Sequence, residues 1–302
     1  MPDANTSLDD LVQPFHVDAL GVNGRVVRLG PVLDEVVAPH GYPEPVSDLV
    51  AQTVVLAATL ASVLKFDGVF TLQIQGDGPV GLVMADITSG GGTRCYARYD
   101  EDRLAALAEA GGQGASIPAL LGSGYLAFTV DQGPDTERYQ GITELTGATL
   151  AECAHDYFRQ SEQLETAILL ASGSDPRVAA AIMIQRLPKD RSGQEDDAEE
   201  AWRRAVILMS SLTTEELLDP AVATDLLLYR LYHQDGVRVS EGQAVKQSCR
   251  CSREKVSSTL RSFPREEVED MAEDGVITVT CEFCRKDYVF DADQVDALFS
   301  DA

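Results

Sequence analysis

The chain has 302 residues, enough for one large domain and a smaller one. Hydrophobic residues make up 44% of it, so a sizeable core can be buried, and 24 Lys and Arg stand against 49 Asp and Glu for a formal net charge of −25. That acidity argues against nucleic acid, whose phosphates demand basic patches, and against anionic membranes.

The first part of the chain reads as mixed α/β. Gly24–Gly30 is a short strand candidate, and Pro45–Leu64 carries apolar residues at helical spacing. Phe70, Leu72 and Ile74 alternate with polar neighbours, the period-two pattern of a half-buried strand. Val80–Ile87 and Thr93–Tyr99 follow after glycine-rich turns, so an antiparallel meander is expected. Asp102–Ala110 reads as a short helix, and Tyr125–Val130 and Tyr139–Glu144 as strands around the turn Gln132-Gly133-Pro134. Leu150–Leu170 reads as one long amphipathic helix, with Leu150, Cys153, Tyr157, Phe158, Ser161, Leu164, Ile168 and Leu169 on one side. Ala179–Leu187 is an apolar strand or a helical turn.

Lys189–Glu200 is polar and strongly acidic, the composition of a linker, and its Glu195–Glu200 run reads as a solvated loop. Ala201–Leu212 and Thr224–His233 are short helical patches. Helices of that length are marginal alone, so this region is expected to fold only while docked on a surface. Further on, Ser252 can cap a helix over Arg253–Ser262, Pro264 opens another that ends near Gly275, and Val276–Thr280 and Tyr288–Phe290 form a hairpin. Asp291 and Gln294 have the spacing of a capping pair for a last helix over Ala292–Phe299.

The chemistry gathers in this last segment. Cys281-Glu282-Phe283-Cys284 is a C-x-x-C knuckle at a strand end, and Cys249-Arg250-Cys251 is a second pair. In an extended C-x-C both side chains leave the same face and can share one ion. Four thiols and no histidine favour zinc or iron–sulfur, and a closed four-ligand zinc site is structural. The bland reading is a zinc ribbon that holds the segment together. A switch is favoured by three arguments. Zinc keeps cysteines as thiolates, the form oxidants attack. A disulfide across C-x-C is strained and therefore labile. The segment is also too small to fold confidently without its metal.

Other features read as structural. Gly76-Asp77-Gly78-Pro79-Val80-Gly81 matches G-x-G-x-x-G but leads into a strand, so it is a hairpin turn rather than a dinucleotide site. Ser89–Gly92 lacks the lysine of a phosphate loop. Cys95 and Cys153 lie in apolar patterns and read as buried hydrophobes. His155 beside Asp156 points to a different helix face, and His233 suits a helix C-terminus. Two rival functions are a thiol–disulfide oxidoreductase using Cys281 and Cys284, and a zinc-ribbon nucleic-acid binder. The first lacks the βαβ context, and the second is opposed by the charge. Met1–Asp10 lacks the positive start and apolar run of a signal peptide, and no stretch is long and apolar enough to span a bilayer. The cytoplasm is the expected location.

The C-x-C followed about thirty residues later by C-x-x-C resembles the hallmark of the heat-shock protein 33 (HslO) family, the redox-regulated holdase chaperonins. Tyr157–Gln163, Leu228–His233, Phe66-Asp67-Gly68 and Gly76–Pro79 resemble further segments of that family. The resemblance implies an α+β chain: a mixed core with antiparallel sheet over 1–190, a metastable helical linker over 191–244, and a small zinc-binding domain over 245–302. It implies one Zn2+ per chain on Cys249, Cys251, Cys281 and Cys284 in the reduced form. Oxidation would pair Cys249 with Cys251 and Cys281 with Cys284, release zinc, and unfold the zinc domain and linker. The protein would then hold unfolding clients without ATP, typically as a homodimer, and would not be an enzyme. The linker's apolar residues Trp202, Val206, Ile207, Met209, Leu227, Leu228, Leu231 and Tyr232 are candidates for client binding or for covering a client surface, with ordinary packing as the bland alternative.

Overall fold

A computed structural model describes residues 8–111, 116–133, 136, 138–159, 164–188 and 195–300. The chain divides into two compact units, Met1–Gln247 and Ser248–Ala302.

The first unit opens with β1 (Leu11–Val17), β2 (Val22–Leu29), α1 (Pro31–Val37) and α2 (Glu44–Ala61). There follow β3 (Val69–Gly76), β4 (Val80–Thr88), β5 (Gly92–Tyr99), α3 (Glu101–Glu109), α4 (Ile117–Leu121), β6 (Gly124–Asp131), β7 (Tyr139–Glu144) and α5 (Leu150–Tyr157). The unit closes with β8 (Thr166–Ser174), β9 (Arg177–Arg186), α6 (Glu195–Ser210), α7 (Thr214–Leu218), α8 (Thr224–Tyr232) and the short strands β10 (Val237–Val239), β11 (Gln243–Ala244) and β12 (Lys246–Gln247).

These strands build two sheets. One runs β10-β1-β2-β9-β8, with β11 also on β1, and is antiparallel throughout. The other runs β12-β5-β4-β3-β6-β7; its β3–β4–β5 portion is the antiparallel meander read from the alternation, and only β12 joins in parallel. Helix α2 shares one core with both sheets. Val50, Val54, Val55, Leu56 and Ala57 are fully buried, and they pack with Val27, Leu29 and Ala181 of the first sheet and Phe70, Leu72 and Ile74 of the second. A helix apolar all round belongs inside. Its three buried hydroxyls, Ser47, Thr53 and Thr59, donate to the carbonyls of Tyr42 (3.1 Å), Leu49 (2.7 Å) and Val55 (2.7 Å), so none is left unsatisfied.

The first sheet is buried on both faces. Its second face carries Phe15, Val17, Val22, Val26, Ile182 and Ile184, and α6, α7 and α8 cover it with Ala205, Met209, Leu217, Leu228 and Tyr232. Two-sided burial explains the unbroken apolar run of β9, Ala179-Ala180-Ala181-Ile182-Met183-Ile184. Gly24, opposite Phe15 in register, is needed here: a Cβ on it would lie 2.1 Å from the Phe15 ring.

Two expectations are corrected, and one strand was not anticipated. The helix from Leu150 does not reach Leu170. It ends at Tyr157, widens into a π turn over Phe158 and Arg159, and the chain re-enters the sheet as β8 from Thr166. Ile168 and Leu170 pack on the α2 side and Ala167 and Leu169 on the other, so the apolar run is continuous and imitates a helix face. Ser161 lies outside the described residues. Second, Glu195–Glu200 is the first part of α6 rather than a loop. Acidic residues suit the positive end of a helix dipole. Residues 189–194 of the acidic stretch lie outside the described residues. The unanticipated strand is β1, which contains Pro14, a residue that argues against a strand.

The second unit is built from α9 (Arg253–Leu260), α10 (Arg265–Asp270), the antiparallel hairpin β13 (Val276–Thr280) and β14 (Asp287–Asp291), and α11 (Ala292–Ser300). The expected caps are present. Lys255 N donates to Ser252 Oγ at 3.3 Å, Gln294 N to Asp291 Oδ1 at 2.9 Å, and Asp291 N back to Gln294 Oε1 at 3.2 Å. Its buried core is small: Leu260, Val268, Ile277, Tyr288, Phe290 and Val295.

Candidate metal centre

Two local structures bring the four thiols together. Cys281 directly follows β13, and a tight turn carries the chain to Cys284 and into β14. Arg285 N donates to the Cys281 carbonyl and Cys281 N to the Lys286 carbonyl, both at 2.9 Å, and Arg285 takes the left-handed conformation, φ 58°. Cys249 and Cys251 precede α9 and are aimed by its Ser252 cap. Their sulfurs lie 3.4 Å apart, on one side of the chain.

The pairs meet: Cys249 Sγ is 3.7 Å from Cys281 Sγ, Cys251 Sγ is 3.5 Å from Cys284 Sγ, and all four lie within 4.8 Å of one another. A tetrahedral zinc–thiolate site with bonds of about 2.3 Å has sulfur–sulfur edges of about 3.8 Å. The cluster fits that ion in both donor type and spacing. Among the described residues the cluster consists of these four thiols, and an ion held by all four would have no coordination position left for a substrate. All four cysteines are half-buried.

A fifth residue joins the site. Tyr288, buried on β14, donates its hydroxyl to Cys251 Sγ at 3.1 Å. Burial alone would raise the Cys251 thiol, but the bonds from Tyr288 and the neighbouring thiols overcome it and bring it down to about 7. Burial pushes Cys284 up to about 12 and raises Cys281 as well. Cys251 is thus more acidic than Cys281 and Cys284. Sequence reading missed Tyr288. Its signal was the alternation of Tyr288 with Phe290 across the hairpin from Val279 and Ile277.

Cys95 and Cys153 are buried, as expected of small hydrophobes. Burial pushes Cys95 up to about 12, and its thiol donates to the Val36 carbonyl at 3.1 Å. Burial also raises Cys153.

The candidate client-binding residues divide. Met209, Leu227, Leu228, Leu231 and Tyr232 are buried against the first sheet, and Trp202 and Val206 are half-buried beside them. Tyr232 stacks on Phe15 with ring centroids 5.8 Å apart. Ile207 is 69% exposed and does not share this face. Arg28 was not anticipated. It is 3% exposed on β2 amid the apolar face, and its guanidinium donates to the carbonyls of Leu217 (3.0 Å), Val222 (2.5 Å) and Asp219. Arg28 is one of two arginines in β2, and the strand's local pattern carries no sign of such a role.

The fold and site together define an α+β protein with a separate small unit that carries a four-thiol cluster able to hold a metal ion. The sequence profile of the Hsp33 protein family matches residues 10–291, and the chain belongs to that family. The chain is 44% identical to the 33 kDa chaperonin of Caulobacter vibrioides over 291 residues, covering 94% of this chain and 95% of that protein. It is 40% identical to the 33 kDa chaperonin of Pseudomonas paraeruginosa over 298 residues, covering 98% and 96%. The crystal structure of the 33 kDa chaperonin (heat shock protein 33 homolog) of Thermotoga maritima shares the fold, with a TM-score of 0.79 at 23% identity, over 96% of this chain and 98% of that one. Family membership supports a chaperone function and implies binding of unfolded client proteins. Among the described residues no helix is long and apolar enough to cross a membrane.

Proposed function

We propose that this chain is a redox-regulated, ATP-independent holdase of the cytoplasm, without enzymatic activity, that prevents aggregation of unfolding proteins under oxidative stress. The observation that carries the reading is the convergence of Cys249, Cys251, Cys281 and Cys284 within 4.8 Å in a unit whose buried core is small. These four sulfurs would hold one Zn2+. When bound, the ion supplies the charge that keeps them as thiolates and ties the C-x-C to the C-x-x-C.

The chain's own sulfurs then sense oxidant. A thiolate attacks the O–O bond of a peroxide, a sulfur–oxygen bond forms, and hydroxide leaves to take up a proton. The neighbouring thiol displaces water from that sulfenic acid, and a disulfide results. Each pair gives up two electrons and each peroxide becomes two waters. On this reading Cys249 pairs with Cys251 and Cys281 with Cys284. The paired sulfurs are no longer thiolate ligands, and the small unit loses the tie that supplements its core.

Residues 1–190 act as the core, 191–244 as a metastable linker, and 245–302 as the switch. The linker is suited to this role because α7 and α8 are short and depend on burial of Leu217, Leu228 and Tyr232 for their stability. Undocking uncovers the face of Phe15, Val17, Val26, Ile182 and Ile184, and also the linker's own Trp202, Met209, Leu227 and Leu231, as client surface. The active form is a homodimer, and neither nucleic acid nor membrane is a partner. The high negative charge keeps such an exposed species in solution.

The test is light scattering from a thermally aggregating client, with reduced zinc-loaded protein compared to protein treated with peroxide at elevated temperature, and released zinc followed in parallel. Suppression by the oxidised form alone, with zinc release, is the expected result. Equal behaviour of both forms with zinc retained would leave a structural metal module and overturn the switch.

A further inference from the structure

The segment 237–247 lies along the edges of both sheets of the first unit. Val237, Arg238 and Val239 pair antiparallel with Val17, His16 and Phe15, and Gln243 and Ala244 pair with Val12 and Leu11. Lys246 and Gln247 then pair in parallel with Gly92 and Thr93. Without this strap, β1 and β5 would be edge strands with unpaired main-chain groups, the template for added strands.

The strap is held mainly through its backbone. Ser240 N donates to Pro14 O at 3.0 Å, Val245 N to Asp10 O at 2.7 Å, and Lys246 N to Gly91 O at 3.0 Å. Pro14, which has no N–H to offer, falls in the gap between β10 and β11. Of the strap's side chains only Val245 is buried, at 4% exposure. It borders a half-open cavity of about 290 Å³ whose apolar side is formed by Val12, Ala58, Ala61, Leu64, Phe66 and Ile87 and whose polar side includes Ser62, Lys65, Thr88 and Gln243, with room beside Val245 for a larger side chain. The strap is basic in an acidic protein: it carries Arg238 and Lys246 against Glu241, and Arg238 pairs with Asp18. Backbone pairing, one apolar anchor and flanking positive charge describe strand addition.

We propose that 237–247 is an internal stand-in for client, and that the β1 and β5 edges, once it leaves, take an extended segment of unfolded polypeptide. That segment would carry a bulky apolar residue where Val245 sits and Lys or Arg nearby. This deepens the holdase reading and rests on it. The strap connects α8 to the cysteine unit, so loss of structure on both sides leaves it held by its backbone bonds, Val245, the Arg238–Asp18 pair and the bond from Gln243 Nε2 to the Ser89 carbonyl.

The probe is a fluorescent peptide of the strap sequence VRVSEGQAVKQ, with two variants: Phe at the Val245 position, and Pro at the Lys246 position, which removes the N–H given to Gly91. Anisotropy is measured with the full chain, reduced and oxidised, alongside client light scattering. The oxidised chain is expected to bind the peptide and the reduced chain not. The Phe variant should bind about tenfold tighter and the Pro variant about tenfold weaker, and excess peptide should restore client scattering. If the oxidised chain suppresses aggregation yet ignores the peptide, binds the Pro variant equally, or holds client undisturbed by saturating peptide, strand addition is overturned and the holdase reading stands. If oxidation yields no suppression at all, both fall.

Discussion

The hydroxyl of Tyr288 donates to the sulfur of Cys251 across 3.1 Å, tying the second strand of the hairpin to the C-x-C pair. A hydrogen bond to a ligating sulfur orients it and stabilises its charged form. Tyr288→Phe keeps the buried ring and removes only that bond. Zinc affinity, measured by chelator competition, is expected to fall by about tenfold or more while the circular dichroism spectrum stays unchanged. An unaltered affinity would make Tyr288 a packing residue.

Cys281→Ser should abolish stable zinc binding, because three thiolates and a hydroxyl cannot close the site. The variant's second unit, and the wild type treated with a chelator, should both lose slow amide exchange over β13 and β14. One tightly held zinc per chain in the variant would count against the ligand set.

Arg28 satisfies three carbonyls between α7 and α8, those of Leu217, Asp219 and Val222, from within an apolar face. Arg28→Met leaves those acceptors without a partner and should weaken docking of α7 and α8 by about 2–4 kcal/mol. The readouts are faster amide exchange over 214–232 and partial suppression of client aggregation by the reduced protein. Exchange equal to wild type would show that water replaces the guanidinium without cost.

Ile207 and Leu228 separate packing from client contact. Leu228 is fully buried, so Leu228→Ala should destabilise the docked linker by about 2–5 kcal/mol. Ile207 is 69% exposed, and Ile207→Ser should change stability by about 0.5 kcal/mol at most. A weakened holdase in the Ile207 variant, with unchanged urea midpoint, would assign that side chain to clients; full activity would remove it from the set.

Asp10 accepts from Gly30 N at 2.7 Å and Val32 N at 3.0 Å. Burial nevertheless pushes its carboxyl above the ordinary value of 3.8, outweighing those two donors. A carboxyl with a higher folded than unfolded value binds more protons in the folded state, so its contribution to stability rises as pH falls between the two. The urea midpoint of the wild type relative to Asp10→Asn should therefore increase as pH is lowered from 7 to about 4. A difference that instead grows with rising pH would reverse the sign.

What the sequence determined by itself was local. Thiol spacing marked Cys249, Cys251, Cys281 and Cys284, short-range alternation marked the β3–β4–β5 meander, and the Asp291 and Gln294 cap was readable because both partners lie within one helical turn. Only the tertiary structure decided the rest. Residues 166–170 are strand rather than helix because the sheet buries them on both faces, and continuous apolarity erases the period that would have told the two apart. The partners of Arg28 lie nearly two hundred residues away, and the strap 237–247 is a strand only because β1 and β5 offer it unpaired edges. Pairing across such distances leaves no local mark, since the energy that selects it comes from burial and hydrogen bonds that exist only once the chain has folded.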